Sequence, residues 1–153
     1  MGHGWFSKGS RTGGKVSLGF KNFYVYSAVN INSGQADSLL MPYVDTSCFN
    51  VFLEEVSKNY KTTQCLLILD GASWHRSANL RVPDNIELMF LPPYSPELNP
   101  IERLWCYIKK HTIRNKFYDS IRSLENAVCD FIKQITEKTI KSICSCNYMY
   151  NYL

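Results

Sequence analysis

Apolar positions along the chain change period several times, and each change predicts an element. From Phe23 to Ile31 the set Phe23, Val25, Ser27, Val29, Ile31 alternates against Tyr24, Tyr26, Ala28, Asn30, the two-residue period of a strand rich in β-branched and aromatic side chains. Lys15–Phe20 has a similar content, so the two runs predict a hairpin. Asn32-Ser33-Gly34-Gln35 is a turn signal, and Ala36–Met41 follows as a strand ended by Pro42. Together they predict a three-stranded antiparallel meander.

The period then lengthens. Phe49, Phe52, Leu53, Val56 and Tyr60 share one face at 3.6-residue spacing, so a helix capped by Thr46 should pack on the sheet. Cys65–Leu69, ending in Asp70, is a continuous apolar run and Ile86–Leu91, ending in Pro92-Pro93, is apolar except for Glu87; both predict strands buried on both faces, joined by a short crossover around Ser77–Leu80. Helices are predicted from about Pro100 to His111 and from about Ser120 to Ile135, the second capped by Asp119 with Ile121, Leu124, Val128, Ile132 and Ile135 on one side. The order of elements predicts an α/β domain whose mixed sheet is covered by helices. Residues 1–14 read as a basic arm or hairpin remnant, 15–143 as the domain, and 144–153 as an aromatic tail.

Composition removes several classes. With 153 residues, 45% of them hydrophobic, the chain can bury a core without disulfide or metal staples. No uninterrupted apolar run is longer than five residues, far too short to span a bilayer, and Met1–Trp5 lacks the apolar segment of a secretory signal, so no membrane partner and a cytoplasmic location are expected. The six cysteines are scattered, with one Cys-x-Cys pair at Cys144 and Cys146, and read as reduced thiols rather than a zinc knuckle. The +4 net charge is uneven. Residues 1–36 carry Lys8, Arg11, Lys15 and Lys21 with no acid, and 101–118 carry Arg103, Lys109, Lys110, Arg114 and Lys116 against Glu102. Basic stretches interleaved with Trp5, Trp105, Tyr107 and Phe117 suit a polyanion; a solvated surface over a core edge explains each patch equally well.

Two acids stand in positions where chemistry collects. Asp70 ends a strand, where α/β sheets bind ligands, although Asp70-Gly71 would also begin an ordinary turn. The segment from Leu91 to Pro100 holds Pro92, Pro93, Pro96 and Pro100, which stiffen it and place Glu102 in the first turn of the next helix; there Glu102 would also complement the helix dipole. Two carboxylates delivered to one point above a sheet would bind a hard divalent cation and serve phosphoryl chemistry on nucleic acid. His75 either orients a water or phosphate there or packs near the crossover. Trp105 reads as core, and Ser73 lacks the second glycine of a hydrolase elbow.

Gly4-Trp5 through Lys8-Gly9, Leu67 through His75, and above all Leu91 through Trp105 resemble the DDE transposases of the mariner-like and insertion-sequence superfamily. The resemblance implies an RNase H-like fold, with an antiparallel meander plus parallel strands flanked by helices. It implies that Asp70 and Glu102, with 31 residues between them, are the second and third catalytic carboxylates and ligate Mg²⁺ or Mn²⁺. It also implies DNA, at transposon ends, as the partner, with Arg103, Lys109, Lys110, Arg114 and Lys116 as candidate phosphate contacts.

The pattern departs in one respect. The family's first catalytic Asp lies on a strand ahead of the Gly-Trp block, and no acid precedes Asp37 here. The chain therefore resembles the carboxyl-terminal part of a transposase, expected to have little or no activity alone. A partner strand from an upstream fragment, full-length transposase or a second copy would suit the exposed sheet edge. The alternatives are a non-catalytic module that binds nucleic acid or transposase, and a degraded relic.

Overall fold

The computed structural model describes residues 22–145. The arm 1–14, the strand expected at Lys15–Phe20 and the end of the tail lie outside the described residues.

β1 (Tyr24–Val29) and β2 (Ala36–Met41) form an antiparallel pair in register from Tyr24↔Met41 to Val29↔Ala36, with the Ser27 and Ser38 hydroxyls 2.7 Å apart across it. Their turn is closed by Asn30, whose side-chain oxygen accepts from the N–H groups of Asn32 and Ser33 at 2.9 and 3.2 Å. Gly34 supplies a left-handed residue at φ 84°.

α1 (Thr46–Asn59) buries Phe49, Phe52, Leu53 and Val56, the face its spacing predicts. Its cap is Asp45 rather than Thr46: Asp45 is extended and accepts from Cys48 N at 2.8 Å, whereas Thr46 is already helical.

β3 (Cys65–Leu69) and β4 (Ile86–Phe90) pair in parallel, from Cys65↔Ile86 to Leu69↔Phe90. Their connection contains a short 3₁₀ helix at Ser73–Arg76, just ahead of the predicted crossover. The expectation of burial on both faces fails. Cys65, Leu67, Leu69, Ile86, Leu88 and Phe90 pack in the α1 core, while Leu66 and Met89 stay 42% and 49% exposed on the other side.

α2 (Ile101–Thr112) and α3 (Ile121–Gln134) match prediction closely, but α3 is capped by Ser120 rather than Asp119. Ser120 and Ser123 exchange side-chain and backbone hydrogen bonds in a capping box, a role Asp119 stands one residue too early to take. α4 (Glu137–Cys144), capped by Thr136, falls in a stretch for which the pattern predicted no helix.

Two cores result. One joins Phe49, Phe52, Leu53 and Val56 of α1 to both strand pairs; the other joins Ile31 to Leu104, Ile108, Val128, Ile140 and Cys144 on α2, α3 and α4. β1 serves both, with Tyr26 and Ala28 toward α1 and Val25 and Val29 toward the helical cluster. The expected single mixed sheet is present as two two-stranded sheets, β1-β2 antiparallel and β3-β4 parallel, with no hydrogen-bonded pairing between β1 and β3 among the described residues.

Candidate functional site

Asp70 is the residue after β3, where the ladder still continues through Leu91 N to Leu69 O at 2.9 Å. Its Oδ1 accepts from Ala72 N at 3.2 Å and lies 3.1 Å from His75 Nδ1. The 3₁₀ helix makes that return possible, since His75 N donates to Ala72 O at 3.0 Å and swings the imidazole back over the strand end. His75 is also 3.1 Å from the Asp70 carbonyl oxygen, and its ring centroid lies 4.5 Å from that of Phe49. The imidazole is therefore mostly buried at 12% exposure while the carboxylate it holds is 67% exposed.

The proline segment sets the second acid. Tyr94 adopts φ 59°, a short 3₁₀ helix follows at Pro96–Leu98, and buried Pro100 precedes the first residue of α2. Asn99 closes the joint: its side-chain oxygen accepts from Ile101 N at 3.3 Å and its carbonyl from Glu102 N at 3.1 Å. Glu102 is exposed in the first turn of α2.

These groups border one cavity. Asp70, His75, Asn99, Glu102 and Trp105 line a single cavity of ≈ 580 Å³ that runs between β1 and β3. Asn99 was not singled out from the sequence; the signal was its position before Pro100, where an Asn side chain can satisfy a helix-start N–H. Trp105 also packs against the helical core, as its spacing suggested.

The basic residues divide into two groups. Arg103 Nη1 donates to Ser145 O at 2.7 Å, which ties it to the end of α4. Lys109 and Lys110 are exposed near the other end of α2, about 10–12 Å along the helix from Glu102 at ~1.5 Å per residue, and Arg114 and Lys116 are exposed beyond that end. Phe117, beside them, is fully exposed. Cys48, Cys65, Cys106 and Cys129 are free thiols, and burial pushes the Cys48 and Cys65 thiols up, which disfavours the reactive thiolate.

A family model described as DDE superfamily endonuclease matches residues 1–125. The chain belongs to that family. An uncharacterized protein of Sinorhizobium fredii, y4pE/y4sA, is 37% identical over 107 residues, covering 69% of this chain and 79% of that protein. The transposable element Tc3 transposase of Caenorhabditis elegans is 33% identical over 101 residues, covering 61% of this chain and 31% of the transposase. The chain thus matches about a third of the length of that relative. No solved structure matches it.

DDE superfamily endonucleases generally use divalent metal ions, and the donors here can be tested against that need. Asp70, Glu102 and the amide of Asn99 offer oxygen in one cavity. Mg²⁺ binds through one or two carboxylates and fills its other positions with water and phosphate, so this set fits. No cluster of three or more His, Cys, Asp or Glu forms among the described residues. No described helix is long and apolar enough to cross a membrane.

Proposed function

We propose that the chain is part of the catalytic domain of a DDE transposase, with an RNase H-like fold, in which Asp70 and Glu102 hold Mg²⁺ or Mn²⁺ against a DNA phosphodiester. The observation that carries this reading is the shared cavity: two carboxylates from separate strand–loop–helix units line one space. Family membership and the likeness to the Tc3 transposase support DNA at transposon ends as the substrate.

A bound divalent ion would supply charge stabilisation at the phosphoryl oxygens and a more acidic attacking hydroxyl. The protein's own part is positioning. His75 fixes Asp70 Oδ1, the proline segment and Asn99 fix the start of α2 and with it Glu102, and Lys109, Lys110, Arg114 and Lys116 neutralise phosphates further along the same DNA. These 153 residues supply two of the three carboxylates of the resemblance, so their activity alone is weak or absent.

A second reading rests on the exposed cations Lys109, Lys110, Arg114 and Lys116: a module that binds nucleic acid or transposase without cleaving. Incubating the purified chain with terminal-repeat DNA and Mn²⁺, alone and with a fragment carrying the first catalytic strand, separates the two. Cuts abolished by Asp70→Ala support the transposase reading; binding without cuts in both mixtures supports the module.

A further inference from the structure

We infer that Arg76 is a phosphate-holding residue beside Asp70, and that its ligand is the DNA phosphate next to the one the two carboxylates face. That ligand follows from the reading of Asp70 and Glu102 as a site for phosphodiester chemistry. Arg76 ends the 3₁₀ helix that begins at Ser73. His75 turns back onto Asp70, and the next side chain runs over the ends of both parallel strands. Its Cζ lies 4.7 Å from the centre of the Phe90 ring. Phe90 is the last residue of β4 and stands opposite Leu69, the residue before Asp70.

Gly71 borders the same guanidinium. A Cβ built on it would stand 3.3 Å from Nη2, 3.7 Å from Cζ and 3.9 Å from Nε of Arg76. Gly34 is the only glycine among the described residues with a positive φ, so backbone conformation does not ask for glycine at Gly71. Room does, because the missing side chain lets the guanidinium lie against the backbone that follows Asp70. An aromatic face and a bare stretch of backbone together confine an arginine that would otherwise sweep a wide volume. A confined guanidinium loses less freedom when it binds an anion.

The confined charge is not neutralised within the chain. Among the described residues Arg76 forms no ion pair or hydrogen bond, and it is exposed. Asp70, the neighbour of Gly71, takes His75 as its partner instead. Arg103 provides the contrast, since its guanidinium already donates to Ser145 O at 2.7 Å. A planar fork of donors, held where the carboxyl ends of parallel strands form a crevice, suits the two non-bridging oxygens of a phosphodiester. The rival role is purely structural, with Arg76 doing no more than covering Phe90.

The test uses the full chain in EDTA with two short fluorescein-labelled duplexes, one of A·T pairs and one of G·C pairs, followed by anisotropy across a salt series. Arg76→Ala should lower the slope of log K against log salt by about one on both duplexes and weaken binding at least about threefold. Arg76→Lys should restore the slope but not the full affinity, because an ammonium keeps the charge without the flat fork. Urea unfolding and Mn²⁺ affinity should stay close to wild type, since Arg76 is exposed and offers no metal donor. An unchanged slope in Arg76→Ala, or no DNA binding by the wild type, overturns the inference. So does a loss confined to the G·C duplex, which would make a guanine edge the ligand. Full affinity in Arg76→Lys would leave only a plain surface charge, and weakened Mn²⁺ binding in Arg76→Ala would mean that Arg76 orients Asp70; either result also overturns it. The salt slope needs neither metal nor cleavage, so a wild type that binds no Mn²⁺ would sink the two-carboxylate reading and leave the Arg76 contact to its own result.

Discussion

His75 Nδ1 lies 3.1 Å from Asp70 Oδ1 and 3.1 Å from the carbonyl oxygen of the same residue, so one imidazole nitrogen spans the side chain and backbone of the strand-end acid. Its ring rests on Phe49 of α1, which couples the site to the core. A contact that orients a metal-ligating carboxylate typically changes affinity by about 10- to 100-fold when lost. His75→Ala should therefore weaken Mn²⁺ binding within that range and lower stability by about 1–2 kcal/mol. Titration calorimetry and urea denaturation check the two effects; unchanged Mn²⁺ affinity would leave His75 a packing residue only.

Gly34 joins the strand pair to α4. An added Cβ would stand 2.0 Å from the carbonyl oxygen of Glu137, and the residue's φ of 84° disfavours any side chain. Gly34→Ala should cost more than about 2 kcal/mol, because both the backbone and α4 must move. Urea unfolding measures it. A cost below about 0.5 kcal/mol would mean that α4 is not docked on this turn.

Tyr60 gives the chain an alkaline limit. Burial, with Asp37 close by and smaller effects from Cys65 and Glu137, pushes its hydroxyl from 10.0 up to about 12. The unfolded chain ionises this tyrosine first, so its contribution to stability is complete below about pH 10 and is lost as pH rises to about 12. Tyr26, also raised mainly by burial, acts in the same sense. Tyr60→Phe should flatten the fall in unfolding midpoint between pH 10 and 12; an unchanged fall would place the alkaline transition elsewhere.

The exposed cations should be legible in salt dependence. Alanine at Lys109, Lys110, Arg114 or Lys116 should each reduce the slope of log K against log salt for duplex DNA by about one. Arg103→Ala should change it less, because that guanidinium already donates to Ser145 O. Fluorescence anisotropy across a salt series decides this, and five identical slopes would remove the patch from the DNA interface.

The sequence was most legible where one rule acts alone. Strict alternation placed β1, the Asn32–Gln35 turn signal and Pro42 placed β2, and the apolar spacing placed the buried face of α1. Caps were harder, since Asp45 and Thr46, or Asp119 and Ser120, are adjacent capable residues, and only backbone conformation decides which one is extended. α4 has eight residues, too few for a helical period to stand out, with Thr136 and the Ile140–Cys144 face as its only signals. Leu66 and Met89 misled because an apolar run reports what a strand can bury, not whether a layer covers it. At the site, Asp70 and Glu102 could be paired from motif spacing, but the His75 contact depends on the 3₁₀ turn at Ser73–Arg76, and Asn99 on the bend before Pro100.

The central claim is that Asp70 and Glu102 share a divalent ion, and Mn²⁺ binding followed by electron paramagnetic resonance tests it most directly. Wild-type chain, Asp70→Asn and Glu102→Gln should fold alike, since both acids are exposed. The account predicts one Mn²⁺ site in the wild type, at least about tenfold weaker in either variant and no weaker still in the double variant. Two variants that each bind Mn²⁺ as the wild type does would contradict it.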